Sequence, residues 1–223
     1  MPRDNFRWEG HDQYLTKVTD ISAASKTVLF YRERMSHQGI GKNTWIERLG
    51  ARMVNQEFLG EISELGRLTE LKLEGVSAHD LGPIHRLREL RLLKLQNVSS
   101  IKNFEVVLQL PKLEALYFEN ARHLHTADFL VGLQHIRRLG IEGGMYKHQR
   151  LESLAPLARL EGLEELYLAS VTLRDKTLSY LAHLPRLSVL HCARFAPKSE
   201  FDNLRNLMPN LECHWCDNFQ ITS

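Results

Sequence analysis

Three cysteines near the C-terminus form the densest group of reactive side chains in this sequence. Cys213 and Cys216 make a C-x-x-C pair with a histidine between them, and Cys192 lies one predicted repeat earlier. Such a pair, together with a nearby histidine and a third cysteine, could bind zinc tetrahedrally. If residues 211–216 form a strand, however, the two side chains of the pair point to opposite faces. We therefore predict reduced structural thiols and no metal site.

The stretch SHQGIGKNT at 36–44 has the glycines of a phosphate-binding loop but lacks the residues that must flank them. That loop requires the pattern G-x-x-x-x-G-K-[ST]. Ser36 stands where the first glycine belongs, and Asn43 stands where a hydroxyl would bind magnesium. We interpret the stretch as a glycine-rich turn.

The positions of the histidines in the sequence do not indicate a catalytic site. Eleven are scattered along the chain, and the HLH stretch at 123–125 has no carboxylate or third ligand at a matching spacing. No nucleophile elbow or local Ser/Cys–His arrangement is present. We predict a protein without catalytic residues or cofactors. An enzyme with its site in residues 1–45 or at the Cys/His end is the alternative.

A short motif that the chain repeats predicts the secondary-structure elements that position these residues. LTELKLEGV at 68–76, LEALYFENA at 113–121 and LEELYLASV at 163–171 share the pattern L-x-x-L-x-L, with Phe118 at the last leucine position of the second. A repeat period of 20–29 residues with this pattern is typical of leucine-rich repeats. The first apolar residue of each copy, here called the anchor, recurs every 22 to 27 residues, at Ile46, Leu68, Leu90, Leu113, Ile136, Leu163, Leu187 and, more weakly, Leu211.

Two shorter periods predict what each repeat contains. The last two leucines of L-x-x-L-x-L are two residues apart, which is the period of a strand with one buried face. Leucines then recur three apart, as in Leu81, Ile84, Leu87 and Leu90, which predicts a tight helical return. Each repeat leaves an apolar edge uncovered until a neighbour stacks on it.

Residues 46 to about 216 resemble a leucine-rich-repeat array, most closely the short-repeat intracellular subclass seen in phosphatase-regulatory subunits and bacterial internalins. LGPIHRLRELRLLKL (81–95) and LAPLARLEGLEELYL (154–168) carry this resemblance best. It implies an α/β fold: a leucine-rich-repeat solenoid, shaped as a right-handed horseshoe. The parallel strands would line the concave side, with short helices or 3₁₀ turns on the convex side. Fold alone does not specify function.

One position departs from the family pattern. Family members usually carry asparagine eight residues after the anchor, where its amide satisfies turn backbone groups. Here an apolar or small residue stands there in every repeat, so apolar packing must replace the asparagine ladder. The positions are Val54, Val76, Val98, Ala121, Gly144, Val171 and Phe195.

The ends of the chain differ from its middle, as capping segments do. We predict one domain with three parts: an N-terminal cap at 1–45, the array at 46–195, and a C-terminal repeat and cap at 196–223. KTVLFYRER (26–34) is a candidate capping strand. SEFDNLRNLMPNL (199–211) predicts an amphipathic helix with Ser199 as its N-cap.

Composition and charge exclude several classes of function. The 223 residues include 29 Lys and Arg against 27 Asp and Glu, a net charge of +2, whereas a general nucleic-acid binder usually shows a strongly basic face. No apolar run approaches the length of a membrane span. The first twenty residues lack the apolar core of a secretory signal. We therefore expect a cytoplasmic protein that binds neither membrane nor, in general, nucleic acid.

The remaining signal lies in the side chains that project from the predicted concave face. Solenoids use this surface to bind extended partners, and tyrosine is favoured at binding hot spots. We predict a non-catalytic module that binds another protein there, as an inhibitor, immunity factor or adaptor. The predicted contact residues are Tyr117, Tyr167, His191, Glu119, Glu142 and Glu165.

The 27-residue repeat carries extra residues around EGGMYKHQR (142–150). Insertions in repeat arrays map to loops and often mark a binding edge. We predict a secondary binding loop formed by Tyr146, Lys147 and Arg150. The remaining alternative is an RNA or phospho-ligand binder that uses the basic side chains Lys72, Lys94, Lys147 and Arg150.

Overall fold

The computed structural model describes residues 13–144 and 147–219, which divide into two compact units. One unit comprises described residues 13–113 and 121–123. The other comprises described residues 114–120 and those from 124 onward. Both are built from the predicted repeat, in which a short strand alternates with a helical turn.

The first unit contains four parallel strands that pair in chain order. They are β1 (Thr27–Tyr31), β2 (Arg48–Arg52), β3 (Glu70–Val76) and β4 (Leu92–Val98). The register aligns equivalent repeat positions, so that Leu49, Leu71 and Leu93 lie side by side. The helix α1 (Gln56–Ile62) and 3₁₀ turns at Ile40–Lys42 and Gly82–Arg86 lie between the strands, and further 3₁₀ turns at Val18–Asp20 and Glu105–Gln109 precede β1 and follow β4.

The second unit repeats this plan with β5 (Ala115–Ala121), β6 (Arg138–Glu142), β8 (Glu165–Leu168) and β10 (Val189–Cys192), which are parallel and adjacent in that order. A separate two-stranded parallel sheet pairs β7 (Gln149–Leu151) with β9 (Val171–Leu173). In the chain, β7 comes after β6 and β9 comes after β8. The intervening 3₁₀ turns are Asp128–Gly132, Ala155–Arg159 and Ser179–His183. The helices are α2 (Lys198–Leu207) and α3 (His214–Asp217).

The core consists of the residues that the repeat pattern marks as inward. Every anchor is buried, and the most exposed of them, Leu187, shows only 6% of its surface. The predicted spacing of apolar residues three apart is also confirmed, because Leu81, Ile84 and Leu87 are fully buried around one 3₁₀ turn. Burial of these leucines on both sides of each repeat is the main stabilising contribution to the fold.

Apolar side chains do replace the missing asparagine ladder. Val54, Val76, Val98, Ala121 and Val171 are at most 2% exposed. The residue just before each of these positions supplies the sharp turn that ends the strand, because it adopts a left-handed backbone in most repeats: Met53, Gly75, Asn97, Asn120 and Ser170 have φ between 50° and 66°. Glycine and asparagine tolerate that region best.

The chain ends contain the predicted strand and helix, with one correction. The strand expected within 26–34 is β1, and the amphipathic helix is α2, which buries Phe201 and Leu204. Ser199 is not its N-cap: the helix starts at Lys198 and Pro197 occupies the capping position. No helix within 13–144 and 147–219 combines the length and the apolar character needed to cross a bilayer.

Candidate functional site

Three aromatic side chains form a continuous row on the strand face of the second unit. The ring centroids of Tyr117 on β5 and Tyr167 on β8 lie 5.8 Å apart. His191 on β10 stacks on Tyr167 with centroids 4.8 Å apart and ring planes inclined by 22°. We call Tyr117, Tyr167 and His191 the aromatic row.

Gly140 on β6 makes this row possible. It lies in register between Tyr117 and Tyr167, on the strand that separates theirs. A Cβ atom at this position would lie 2.3 Å from Cδ1 of Tyr117, far inside contact distance. The missing side chain therefore leaves the space into which the Tyr117 ring turns. The sequence carried this signal as a glycine inside a strand pattern, which often marks close approach of another group.

Burial of the two tyrosines overturns one expectation. Side chains that project from a predicted binding face are expected to be exposed, but Tyr117 is only 8% exposed and Tyr167 only 7%. The rings pack against each other because Gly140 presents no side chain between them. Replacing both by alanine would therefore remove packed volume. His191 is only partly buried.

Three carboxylates flank the aromatic row. The Tyr167 hydroxyl donates a hydrogen bond of 2.5 Å to Oε2 of Glu165. Glu119 and Glu142 are partners in the β5–β6 register, on the same face and both partly buried. Arg138 lies on the same face in register with Glu165. We call the aromatic row with these three glutamates the acidic-aromatic face.

The environment of the acidic-aromatic face keeps both phenols protonated. Burial raises the pKa of Tyr117 to about 12, and the neighbouring glutamates Glu165 and Glu142 add to the shift against the opposing charge of Arg138. Burial also raises the pKa of Tyr167, and its hydrogen bond to Glu165 adds to the effect. Both tyrosines are therefore neutral hydrogen-bonding groups at physiological pH, not catalytic bases.

The edge loop of the long repeat lies partly within the described residues. Lys147 and His148 are exposed, and Arg150 is an exposed residue of β7. Tyr146, the third predicted member of the loop, lies outside the described residues. Gly143 packs against the backbone of Ser170, so this part of the loop approaches the neighbouring repeat closely.

The glycine-rich turn at 39–43 binds a side-chain carboxylate of the same chain, that of Glu61. The backbone N–H groups of Gly39 and Gly41 donate to the two carboxylate oxygens of Glu61, at 3.2 and 3.1 Å. A Cβ on Gly41 would come within 2.8 Å of the Glu61 backbone oxygen. The turn thus fixes α1 against the N-terminal segment. Backbone nests of this kind commonly hold anions.

A buried histidine lies beside this turn. His37 is fully buried, and its ring packs against Phe58 with centroids 5.2 Å apart. Its Nε2 atom lies 3.8 Å from Oε2 of Glu57. Burial lowers the pKa of His37, with Arg32 acting in the same direction and Glu57 and Glu61 acting against it.

The strand face of the first unit has a different character. Arg52 donates to Glu74 at 2.6 Å and lies over the Tyr14 ring at 4.2 Å. Lys72 is partly buried and Lys94 is only 8% exposed. A lysine this deeply buried offers little surface to a phosphate.

The cysteines are arranged differently from expectation. Residues after Glu212 do not continue as a strand, because His214–Asp217 form the short helix α3. Cys213 and Cys216 are instead joined by a tight turn, in which the backbone N–H of Cys216 donates to the carbonyl oxygen of Cys213 at 3.1 Å. All three cysteines are free, and Cys192 is partly exposed. Among the described residues, no group of three or more His, Cys, Asp or Glu side chains is placed to hold a metal ion.

No family model matches the chain, and no curated protein sequence matches it. Solved structures do resemble it. An internalin (inlF) from Listeria monocytogenes strain 4b F2365 is 19% identical, with a TM-score of 0.52 over 70% of this chain and 50% of the internalin. Toll, in a complex with Spatzle from Drosophila, is 16% identical, with a TM-score of 0.55 over 74% of this chain and 23% of that one.

A third similar structure is the TLR13–ssRNA13 complex, which is 15% identical with a TM-score of 0.54 over 79% of this chain and 31% of that one. This chain thus spans half the length of the internalin and less than a third of either receptor. At these identities the likeness concerns the fold alone. The chain has the leucine-rich-repeat fold shared by internalins and Toll-like receptors.

Proposed function

We propose that this chain is a non-catalytic module that binds another protein through the acidic-aromatic face, and that the partner presents a basic segment. The observation that carries the proposal is the aromatic row, Tyr117, Tyr167 and His191, with a carboxylate on either side. Repeat arrays of this kind bind partners on the strand face. Inhibitor, immunity factor and adaptor are roles that this chemistry would serve.

The aromatic row would provide a rigid contact surface for the partner. Its two tyrosines are already packed, so binding would cost little additional side-chain entropy. The hydrogen bond from the Tyr167 hydroxyl also fixes the Glu165 carboxylate before any partner arrives. Pre-ordered groups of this kind raise affinity by lowering the cost of association.

The charge of the face favours a cationic partner. Glu119 and Glu142 lie next to each other across the β5–β6 register and, with Glu165, give this face an acidic character that suits a lysine or arginine of the partner. Arginine would also stack on His191, the most exposed member of the row. The edge loop, with Lys147 and Arg150 exposed, is proposed as a secondary contact.

A nucleic-acid partner is the less favoured alternative. The similar structures include Toll with a protein and TLR13 with an RNA, so the fold itself serves both kinds of ligand. The face proposed here carries more carboxylates than basic groups, which would repel a phosphate backbone. The three free cysteines are typical of a reducing compartment, and we place the protein in the cytoplasm.

The experiment is affinity capture from a lysate of the source cells, with and without nuclease, followed by quantitative mass spectrometry. The test variant neutralises the face without changing its shape: Glu119→Gln, Glu142→Gln and Glu165→Gln. The matched control removes the same charge from exposed positions elsewhere in the second unit: Glu152→Gln, Glu161→Gln and Glu212→Gln.

We expect a protein captured by the wild type and the control to fall at least tenfold with the face variant, in the presence of nuclease. Its recovery should also decrease with rising salt, because the contact is between charges. Equal capture by the face variant and the control would refute the proposal. Recovery that nuclease abolishes would indicate a nucleic-acid partner instead.

A further inference from the structure

The three cysteines of this chain converge at the end of the second unit. Residue Glu212 forms a parallel bridge with Val189, so the next residue, Cys213, runs alongside β10, the strand that ends at Cys192. The chain then turns into α3, and the backbone N–H of Cys216 donates to the carbonyl oxygen of Cys213 at 3.1 Å. This i to i+3 bond closes a tight turn that brings the ends of the C-x-x-C pair together.

Cys213 is the shared partner of the group. The Cys192 and Cys216 thiols lower the pKa of the Cys213 thiol, as do the backbone N–H groups of Cys216 and Trp215. Cys213 is 1% exposed, whereas Cys192 and Cys216 are partly exposed. Cys213 is thus the buried neighbour of both other cysteines, and solvent reaches Cys192 and Cys216.

The residues around the pair hold the turn rigidly. Trp215 Nε1 donates to the Cys192 carbonyl oxygen at 2.9 Å. Arg205 forms a 2.6 Å ion pair with Asp217 and donates to the carbonyl oxygens of Pro209 and Leu211 at 2.8 and 3.0 Å. These bonds fix the backbone on both sides of the cysteines, so the sulfurs are held in reach of each other.

We propose that Cys213 and Cys216 form a reversible disulfide when the protein meets a hydroperoxide, with Cys192 as a third thiol that can take the place of Cys216. The geometry points to a disulfide because a backbone hydrogen bond closes the turn from Cys213 to Cys216 and holds the two residues next to each other. Disulfides need Cα atoms within about 7 Å, a distance that an i to i+3 turn provides.

The reaction balances with hydroperoxide as the only oxidant. The partly exposed Cys216 releases its proton and its sulfur attacks the peroxide oxygen. The O–O bond breaks, and the departing hydroxide or alkoxide takes up that proton, which leaves a sulfenic acid on Cys216. The buried Cys213 sulfur then attacks the sulfenic sulfur, the S–O bond breaks, and hydroxide leaves with the Cys213 proton as water. Two thiols lose two electrons and the peroxide gains them. The lowered pKa of Cys213 favours its thiolate, the form that attacks the sulfenic sulfur.

The arrangement fits a disulfide better than a metal. A zinc site needs ligands that surround one point, whereas here Cys213 lies between the two other thiols and no group of three metal-ligating side chains is placed around one point within 13–144 and 147–219. His214, the histidine of the C-x-x-C pair, is exposed, and its ring lies against Trp215.

The experiment titrates the reduced full-length protein with hydrogen peroxide, then traps thiols under denaturing conditions and maps disulfides by peptide mass spectrometry. We expect the number of free thiols to fall from three to one, with a disulfide in the peptide that contains residues 213–216. Dithiothreitol should restore all thiols. The variant Cys192→Ser should form the same disulfide, and Cys216→Ser should form one between Cys192 and Cys213 instead.

Three results would overturn the proposal. One is sulfinic acid on a single cysteine without a disulfide, and another is a disulfide between two molecules in place of the internal one. The third is about one zinc per chain in the protein as purified, by elemental analysis, with the thiols protected from peroxide. Wild type and Cys192→Ser both retain Cys213 and Cys216. The disulfide is therefore tested without a Cys213→Ser variant, which would remove a buried residue.

Discussion

Gly140→Ala is the substitution that tests the aromatic row most directly. The added methyl carbon would lie 2.3 Å from Cδ1 of Tyr117, whereas non-bonded carbons settle at about 3.5–4.0 Å. The Tyr117 ring must therefore move by about 1.2 Å or more, away from the space over β6. Overpacking of this kind costs about 1–3 kcal/mol.

A second effect acts in the opposite direction. Alanine has fewer unfolded conformations than glycine, which stabilises a protein by about 0.4–1 kcal/mol where the native backbone suits both residues. Gly140 has no left-handed backbone, so this gain applies. We expect a net loss of about 1–2 kcal/mol, measured as a lower urea midpoint at an unchanged m value.

Gly144→Ala provides the matched control in the same unit. Its Cβ would lie 3.6 Å from the nearest atom of Asn120, an ordinary contact, so this substitution should be neutral or slightly stabilising. A double-mutant cycle then isolates the clash. In a Tyr117→Ala background the methyl group has no ring to meet, and Gly140→Ala should cost less than about 0.5 kcal/mol. Equal costs with and without the Tyr117 ring would refute the reasoning.

Two further predictions concern stability away from this face. Leu166→Ala, at a fully buried position in register with Leu139, should lower the free energy of unfolding by about 2–5 kcal/mol, while Leu207→Ala, at a position 53% exposed, should change it little; equal urea midpoints would contradict the register. His37, whose pKa is lowered by burial, stays neutral in the fold while the unfolded chain takes up a proton below about pH 6.5. Stability should therefore fall as pH decreases below that value, by at most about 1.4 kcal/mol per pH unit. His37→Phe should weaken this dependence in thermal melts at pH 7.5 and 5.5, whereas the exposed control His125→Gln should keep it; an unchanged profile for His37→Phe would count against the assignment.

Much of the fold could be predicted because the repeat is local and cumulative. Leucines two apart specify a strand with one buried face, and leucines three apart specify the return turn. Each repeat then needs only its neighbours to bury its edges. The valines at 54, 76 and 98 were recognisable as the substitute for an asparagine ladder by the same logic. The left-handed residue just before each was recognisable only where it is Gly75 or Asn97, because the side chain of Met53 gives no signal of an unusual backbone.

The candidate site could be predicted only in part. The pattern placed Tyr117 and Tyr167 on one face and in one column, which the register bears out. Their separation and burial depended on how far each ring turns, and the volume of the residue between them decides that. Gly140 was visible in the sequence, but its effect needs the positions of three strands at once.

By itself, then, the sequence determined the repeat period, the buried anchors and the direction in which each strand side chain projects, because these depend on spacing along the chain. Only the tertiary structure decided which distant groups touch. The Tyr117 and Tyr167 rings meet across Gly140, the Glu61 carboxylate occupies the glycine-rich turn, and Trp215 donates to the carbonyl oxygen of Cys192. Contacts between residues from different repeats depend on side-chain volume, rotamer and turn geometry, and none of these is encoded in the period of the leucines.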